Sequence, residues 1–532
     1  MTLDEAVDYL RVTKSNLYKL LQKGSIPASK VGGLWRFKKG QLNKWLDERM
    51  IRYNKGLENG ATIDKVMANE REDRSSRSIT IDKIGKIDVR NSPRISVEFP
   101  IEIDGGVTAS VTNLSETGIS ILSPIRIKRN RASGVLKFPQ RSVNLDIDII
   151  RNGPNKLDDK YLYGAKILNA KHDTILMIQQ NMINAVIKDA LKINKDKNVK
   201  EYILKFYRYF KKYLLEVIEL SDKIEKSEIV DIEGQKLFNR LTDDIMKRAG
   251  ELELTVTHKL TIKKIKKLFR SLVSCWIYKS YIVKRAYDKP RGYPGDHVTI
   301  ELVYDNKPHS SGIGLYADRY FLQENYAIAV RNRKDKMRYI LKNFIENHEK
   351  YNLRILNLAC GSSREVKELN PIDTSNKKIY FGLLDHDDEA LDFSKKSLKE
   401  LASQIDFDFI NEDILDLCRN RENYITKLGK YDFIYSIGLA DYLPDRLLKG
   451  FIGFCMDSLL PKGRFIFAHK DISIYKPLPP NWFCDWNFYS RTEEQLQKLI
   501  NESSDNISDN ISLDREESNH IIFFDLEHKQ TI

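Results

Sequence analysis

The sequence predicts a multidomain chain: a winged helix-turn-helix, an antiparallel β-barrel, a helical bundle and an α/β doubly wound sheet, in that order. Three observations predict it. A length of 532 residues is too much for one core, since domains run to about 100–200 residues. Apolar periodicity changes kind along the chain, from helical spacing to strand-like alternation and back. Charge is localised: residues 1–55 hold twelve Lys/Arg against five Asp/Glu, over half of the whole chain's +13 excess. That concentration suits a nucleic-acid partner.

Composition bounds the class. With 41% hydrophobic and 31% charged residues, each domain can bury a core, which excludes global disorder and collagen-like chains. The five cysteines are widely spaced, with no C-x-x-C pair and no Cys/His cluster, so neither a disulfide framework nor a metal site is expected. No basic-then-apolar leader and no long apolar span is present, and the expectation is a cytoplasmic protein without a transmembrane segment.

In residues 1–53, Thr2 and Glu5 form a capping box over Leu3, Ala6, Val7 and Leu10, and a second helix follows Thr13 and stops at Gly24 before Pro27. Val31 to Phe37 then predicts a Gly-turned hairpin. A recognition helix must offer basic and hydrogen-bonding side chains at its first turn, and Lys14, Ser15, Asn16, Tyr18 and Lys19 do so, with Arg36 on the hairpin. The segment resembles the excisionase-type, MerR-like winged helix family, which implies duplex DNA as a partner. Residues 54–86, polar and aperiodic, predict a linker.

Residues 87–190 open on Arg90 and Arg94, held extended by Pro93. Guanidinium groups stack on purines and fork onto phosphate oxygens. Alternation such as Val143-Asn144-Leu145-Asp146-Ile147 predicts barrel strands, and Asn113-x-Ser115-x-x-Gly118 puts short polar groups at a turn. The pair R-x-x-x-R and N-x-S-x-x-G resembles the signature of the PilZ domain. That resemblance implies cyclic di-GMP as a regulatory ligand, with Arg90 and Arg94 on guanines and phosphates and Asn113, Ser115 and Gly118 shaping the base pocket.

Residues 191–345 carry helical stripes such as Ile203, Phe206, Phe210, Leu214 and Val217 and predict a bundle or lid region. Within it His258 to Arg270 is strongly basic and could lie on an anionic membrane or nucleic acid, but its apolar residues favour a bundle helix with a solvated basic face. From 346 to 532, apolar runs at Arg354–Leu358, Tyr380–Leu384, Phe407–Ile410, Tyr431–Tyr435 and Gly463–Ala468 alternate with helical segments, predicting a parallel sheet. The polar stretch Asn501 to Asp514 is expected to be a mobile insertion before a last strand at Ile521–Leu526.

The first of those strands enters a small-residue turn, Asn357-Leu358-Ala359-Cys360-Gly361-Ser362-Ser363, and Asp385 ends the next, where a carboxylate can take ribose hydroxyls. This order resembles class I S-adenosylmethionine-dependent methyltransferases. The resemblance implies that cofactor, with Ala359 and Gly361 lining the turn that faces its methionine end, Asp385 on ribose, Asp413 and Ile414 beside adenine, and Asn357 and Ser436 among the cofactor-binding residues. Asn357, Ala359 and Ser363 depart from the common acid and glycines. A further block (Lys289 to Asp296, Ala329 to Arg333, Asp485-Trp486, Tyr489) resembles bacterial proteins for biosynthesis of the extracellular factor 3-hydroxypalmitic acid methyl ester. It implies a fatty-acid carboxylate acceptor, with Tyr293, Asp296, Trp486 and Tyr489 as substrate-pocket candidates. A transcription regulator with a non-catalytic, ligand-sensing methyltransferase-like domain is the competing reading.

Overall fold

In the computed structural model the described residues are 26–31, 34–37 and 95–529, apart from 105, 116–117, 128–129, 139–141, 151–154, 158–159, 169–171, 375–376 and 475. The chain divides into two compact units, Met1–Val89 and Arg90–Ile532. In the first, β1 (Ser29–Val31) and β2 (Leu34–Arg36) pair antiparallel, in the register Val31↔Leu34. The predicted helices of this unit, the linker at 54–86 and the Arg90/Arg94 entry lie outside the described residues.

The second unit begins with β3 (Ile95–Ile103), β4 (Val107–Ser115), β5 (Gly118–Ser123), β6 (Arg131–Lys137), β7 (Ser142–Ile149), β8 (Asn155–Leu157) and β9 (Lys160–Leu168). The order β5-β4-β3-β6-β7-β9 closes through a β5–β9 pairing, and β8 pairs with β9. Closure removes the edges an open sheet would expose. Alternation drives it: Val143, Leu145 and Ile147 of β7 point inward while Asn144 and Asp146 face out.

Eight helices follow: α1 (His172–Ile193), α2 (Lys197–Glu225), α3 (Asp231–Thr255), α4 (Lys259–Ile277), α5 (Tyr281–Asp288), α6 (His297–Asp305), α7 (Ile313–Gln323) and α8 (Asn325–Asn347). Asp196, Ser280 and Asp296 cap α2, α5 and α6 by accepting from first-turn N–H groups, each such cap stabilising its helix by about 1 kcal/mol. Helix α1 runs past residue 190 and packs on β3, β4 and α4. One continuous hydrophobic core therefore joins barrel and bundle. The basic face of α4 is only partly solvated: Arg270 is buried, donates to the carbonyl of Asn481 and pairs with Asp485 at 3.2 Å.

The last layer comprises β10 (Asn352–Leu358), α9 (Arg364–Lys367), β11 (Lys378–Asp385), α10 (Asp388–Ser397), β12 (Asp406–Asn411), α11 (Ile414–Arg419), α12 (Arg421–Leu428), β13 (Tyr431–Ser436), α13 (Asp445–Asp457), β14 (Leu459–Lys470), α14 (Leu478–Cys484), α15 (Glu493–Asn501), β15 (Ile507–Arg515) and β16 (Ile521–His528). The sheet order is β12-β11-β10-β13-β14-β16-β15, parallel through β14, with β16 antiparallel to both its neighbours. Every residue of β13 is buried, as both faces of a parallel sheet are covered. Strand order reverses at β10, and the crevice beyond the carboxyl ends at such a point is where ligands bind.

One expectation is overturned here. The polar stretch from Asn501 contains β15, hydrogen-bonded to β16. A register shift between Ile507 and Ile511 breaks its alternation, and an edge strand needs only one partner, so it can stay polar.

Candidate functional site

The turn after β10 is built from left-handed backbone: Ala359, Gly361 and Ser363 have φ of 56°, 55° and 50°. Only glycine adopts this region without a steric cost. The conformation thus persists where two of the three residues carry a Cβ. Side chains of the neighbouring elements hold it. Gly361 N–H donates to Asp385 Oδ2 at 2.9 Å, and Ser394 Oγ donates to the Gly361 carbonyl at 2.9 Å. A Cβ placed on Gly361 would meet no atom, so this face of the turn opens on free space.

Asp385, at the carboxyl end of β11, also accepts from Asp387 N–H at 3.0 Å and lies 3.3 Å from His386 Nδ1. Burial alone would raise its pKa, yet His386 and the two backbone donors hold it below the ordinary value. Asn357 donates to Glu365 Oε1 at 3.0 Å, and Tyr435 donates to the same oxygen at 2.8 Å. Glu365 is fully enclosed, and burial pushes its pKa up. Sequence reasoning missed Glu365, although a Glu just after a small-residue turn was a readable signal. Burial pushes the Cys360 thiol well above its ordinary pKa, which fits a packed residue.

The other cofactor candidates are engaged locally. Asp413 caps α11 by accepting from Leu415 N–H at 2.8 Å, Ile414 is buried in the core, and Ser436 donates to the Leu358 carbonyl at 2.7 Å, tying β13 to β10. The register Asp385↔Asn411 still sets the β12 end beside the β11 end.

The loop between α5 and α6 lies against this edge. Arg291 donates to Asp387 Oδ1 at 3.0 Å, and the Tyr293 ring sits 5.6 Å from that of His386. Asp296, a substrate-pocket candidate, is buried and caps α6: it is 0% exposed, accepts from Thr299 N–H at 2.8 Å and pairs with Arg285 at 2.5 Å. Gly295 permits a close approach, since a Cβ there would stand 2.8 Å from Trp486 Cζ2 and 3.2 Å from the Tyr442 hydroxyl. Trp486 donates to that hydroxyl at 2.7 Å and packs edge-on against Tyr326.

A second cluster stands beyond the ends of β13 and β14. Lys470 forms a close ion pair with Asp441 Oδ2, and its backbone N–H donates to Asp441 Oδ1 at 2.9 Å. Its ammonium lies 4.1 Å from the Phe488 centroid and 5.0 Å from that of Tyr326. Burial pushes Lys470 down to about 8. His469 Nδ1 faces the Lys470 carbonyl at 2.7 Å, which fixes the proton there, and leaves Nε2 to accept from Arg491 at 3.0 Å. Tyr489 donates its N–H to the Asp441 carbonyl, and with Phe488, Lys470 and Asp441 it lines a small recess. Lys470 was missed in the sequence, though a cation closing an apolar strand was visible.

On the barrel, Asn113 and Ser115 belong to β4, and Gly118 opens β5 in the register Ser115↔Gly118. Ser115 Oγ donates to the Gly118 carbonyl at 3.2 Å. The Asn113 side-chain oxygen is buried without a hydrogen-bond partner among the described residues. Arg90 and Arg94 lie outside the described residues, as do Lys14, Ser15, Asn16, Tyr18 and Lys19; Arg36 belongs to β2. Among the described residues no group of His, Cys, Asp and Glu could hold a metal ion, and no helix is long and apolar enough to cross a membrane.

Residues 1–50 match a helix-turn-helix domain family. No curated protein matches the chain. Solved structures similar to it include a protein of Bordetella parapertussis described as a possible exported protein (16% identity, 61% of this chain and 97% of that one, TM-score 0.36). Two others are methyltransferases. Magnesium protoporphyrin IX methyltransferase of Synechocystis PCC 6803, with bound cofactor, has 12% identity over 39% of this chain and 86% of its own, TM-score 0.28. The N-methyltransferase NodS of Bradyrhizobium japonicum WM9 has 13% identity over 37% and 98%, TM-score 0.27.

Proposed function

We propose that the protein is an S-adenosylmethionine-dependent methyltransferase, governed by a cyclic di-GMP-binding barrel and placed on DNA by its helix-turn-helix domain. The observation that carries the reading is the open left-handed turn after β10, tied at 2.9 Å to Asp385, at the point where the sheet order reverses. The residues suit the cofactor. The space over Gly361 admits a ligand against bare backbone, and Asp385 retains acceptor capacity for ribose hydroxyls beyond its two backbone donors. Bound S-adenosylmethionine supplies an electrophilic methyl group. The chain's own part is to hold, align and dehydrate the partners, because a carboxylate acceptor is already ionised at pH 7 and needs no base.

The acceptor we assign is a fatty-acid carboxylate, supported by the aromatic surround of Tyr326, Trp486 and Phe488. Cyclic di-GMP is supported by the unpartnered Asn113 oxygen, an acceptor suited to a guanine N–H. The barrel is linked to the acceptor end by packing: α1 touches β3, β4 and α4, and α4 holds Asn481 and Asp485 beside Trp486 through Arg270. Calorimetric titration of the full chain with S-adenosylhomocysteine tests the central claim. Wild type should bind, and Asp385→Ala should bind at least about tenfold more weakly, the loss of charged hydrogen bonds at about 1.5–3 kcal/mol each. Equal affinities would refute the site.

A further inference from the structure

Among the described residues, the interior of the methyltransferase-like layer holds a cation without a counter-ion. Arg333, on α8, is 5% exposed, its Nε has no hydrogen-bond partner, and no carboxylate among the described residues forms an ion pair with it. Its neighbours account for this. Tyr304 hydrogen-bonds the guanidinium but is a neutral phenol, as is Tyr326, and Asp441 acts on it through space while paired with Lys470. Glu365, the other carboxylate that senses it, is bound by Asn357 and Tyr435 and raised in pKa by burial. A buried, unpaired guanidinium is costly, and a planar oxyanion satisfies it in a bidentate fork.

Position narrows the ligand. Arg333 Nη2 lies 3.8 Å from where a Cβ on Gly438 would be, two residues beyond the end of β13. That is the β13–β14 side of the reversal point, within electrostatic reach of both Lys470 and Glu365. Resting on the reading above, we propose that Arg333, with Lys470 beside it, anchors the carboxylate of the methyl acceptor, whose apolar part lies on the rings of Tyr326, Phe488 and Trp486. One acceptor oxygen then attacks the methyl carbon as the carbon–sulfur bond breaks. The electron pair returns to sulfur, leaving a methyl ester and S-adenosylhomocysteine, with no proton exchanged.

The test titrates the full chain, loaded with S-adenosylhomocysteine, with decanoate and with decanamide, which has the same tail and no charge. Wild type should prefer decanoate by at least about tenfold, one charged hydrogen bond's worth. Arg333→Gln should erase the preference and leave S-adenosylhomocysteine affinity within about twofold, and Arg333→Lys should retain part of it, a point charge replacing the fork. Circular dichroism verifies folding. If Arg333→Gln does not fold, the decanoate preference of Arg333→Lys decides, and an undiminished preference there counts against the proposal. A tenfold loss of S-adenosylhomocysteine affinity in Arg333→Gln would overturn it by assigning the guanidinium to the cofactor's own carboxylate. Equal binding of acid and amide by loaded wild type would overturn it while sparing the cofactor site, whereas failure of wild type to load would sink both.

Discussion

Replacing Gly361 by alanine separates backbone strain from ligand contact. Its φ of 55° places a Cβ in the left-handed region, yet that Cβ would meet no protein atom. The strain costs about 1–2 kcal/mol, and the reduced entropy of the unfolded chain returns about 0.4–1 kcal/mol. The net destabilisation is thus about 0–1.6 kcal/mol, a fall in Tm of at most about 5 °C for a large unit. Ligand affinity should suffer more, because the methyl group occupies the space we assign to the cofactor. We expect at least a tenfold loss for S-adenosylhomocysteine, about 1.4 kcal/mol. The reverse change, Ala359→Gly, removes a Cβ from a residue at φ 56° and should raise Tm slightly with affinity unchanged. Calorimetry with thermal denaturation reads both quantities. A Gly361→Ala variant that binds S-adenosylhomocysteine as wild type does would refute the placement of the cofactor over this turn.

Burial raises the Glu365 pKa above its unfolded value, so its contribution to stability is complete below the unfolded carboxyl pKa and lost as pH rises through the folded one. Glu365→Gln keeps an acceptor for Asn357 and Tyr435 and sheds the titration. Its Tm should match wild type near pH 4 and exceed it at pH 8, and a pH-independent difference would contradict this. Arg90→Ala with Arg94→Ala should abolish cyclic di-GMP binding by the full chain, and Asn113→Ala should weaken it about fivefold or more, one hydrogen bond of about 1 kcal/mol; unchanged calorimetric affinity would remove the ligand assignment. DNA affinity should fall steeply with salt through counterion release. In mobility shifts Lys14→Ala and Lys19→Ala should flatten that dependence, whereas a salt-independent shift would point to protein docking instead.

Local pattern determined the elements. Continuous apolar runs marked β10 to β13 because both faces of a parallel sheet are covered, and alternation marked β7 because a barrel strand has one wet face. The chemistry at strand ends was equally legible: Asp385 at the close of β11, and Asn113, Ser115 and Gly118 across one hairpin. Packing decided what those groups face. Nothing in the spacing of Asp296 distinguishes a pocket acid from the cap of α6 that also pairs with Arg285. The sequence likewise left open that Asn357, standing where an acid is usual, turns to Glu365, and that the polar stretch after Asn501 finds β16 as its partner. Arg333 and Gly438 are far apart in the chain, and their approach depends on how α8 lies across the sheet. Burial direction is a local property, readable from period and residue type, whereas a charge's counter-ion is supplied by elements brought together only by the fold.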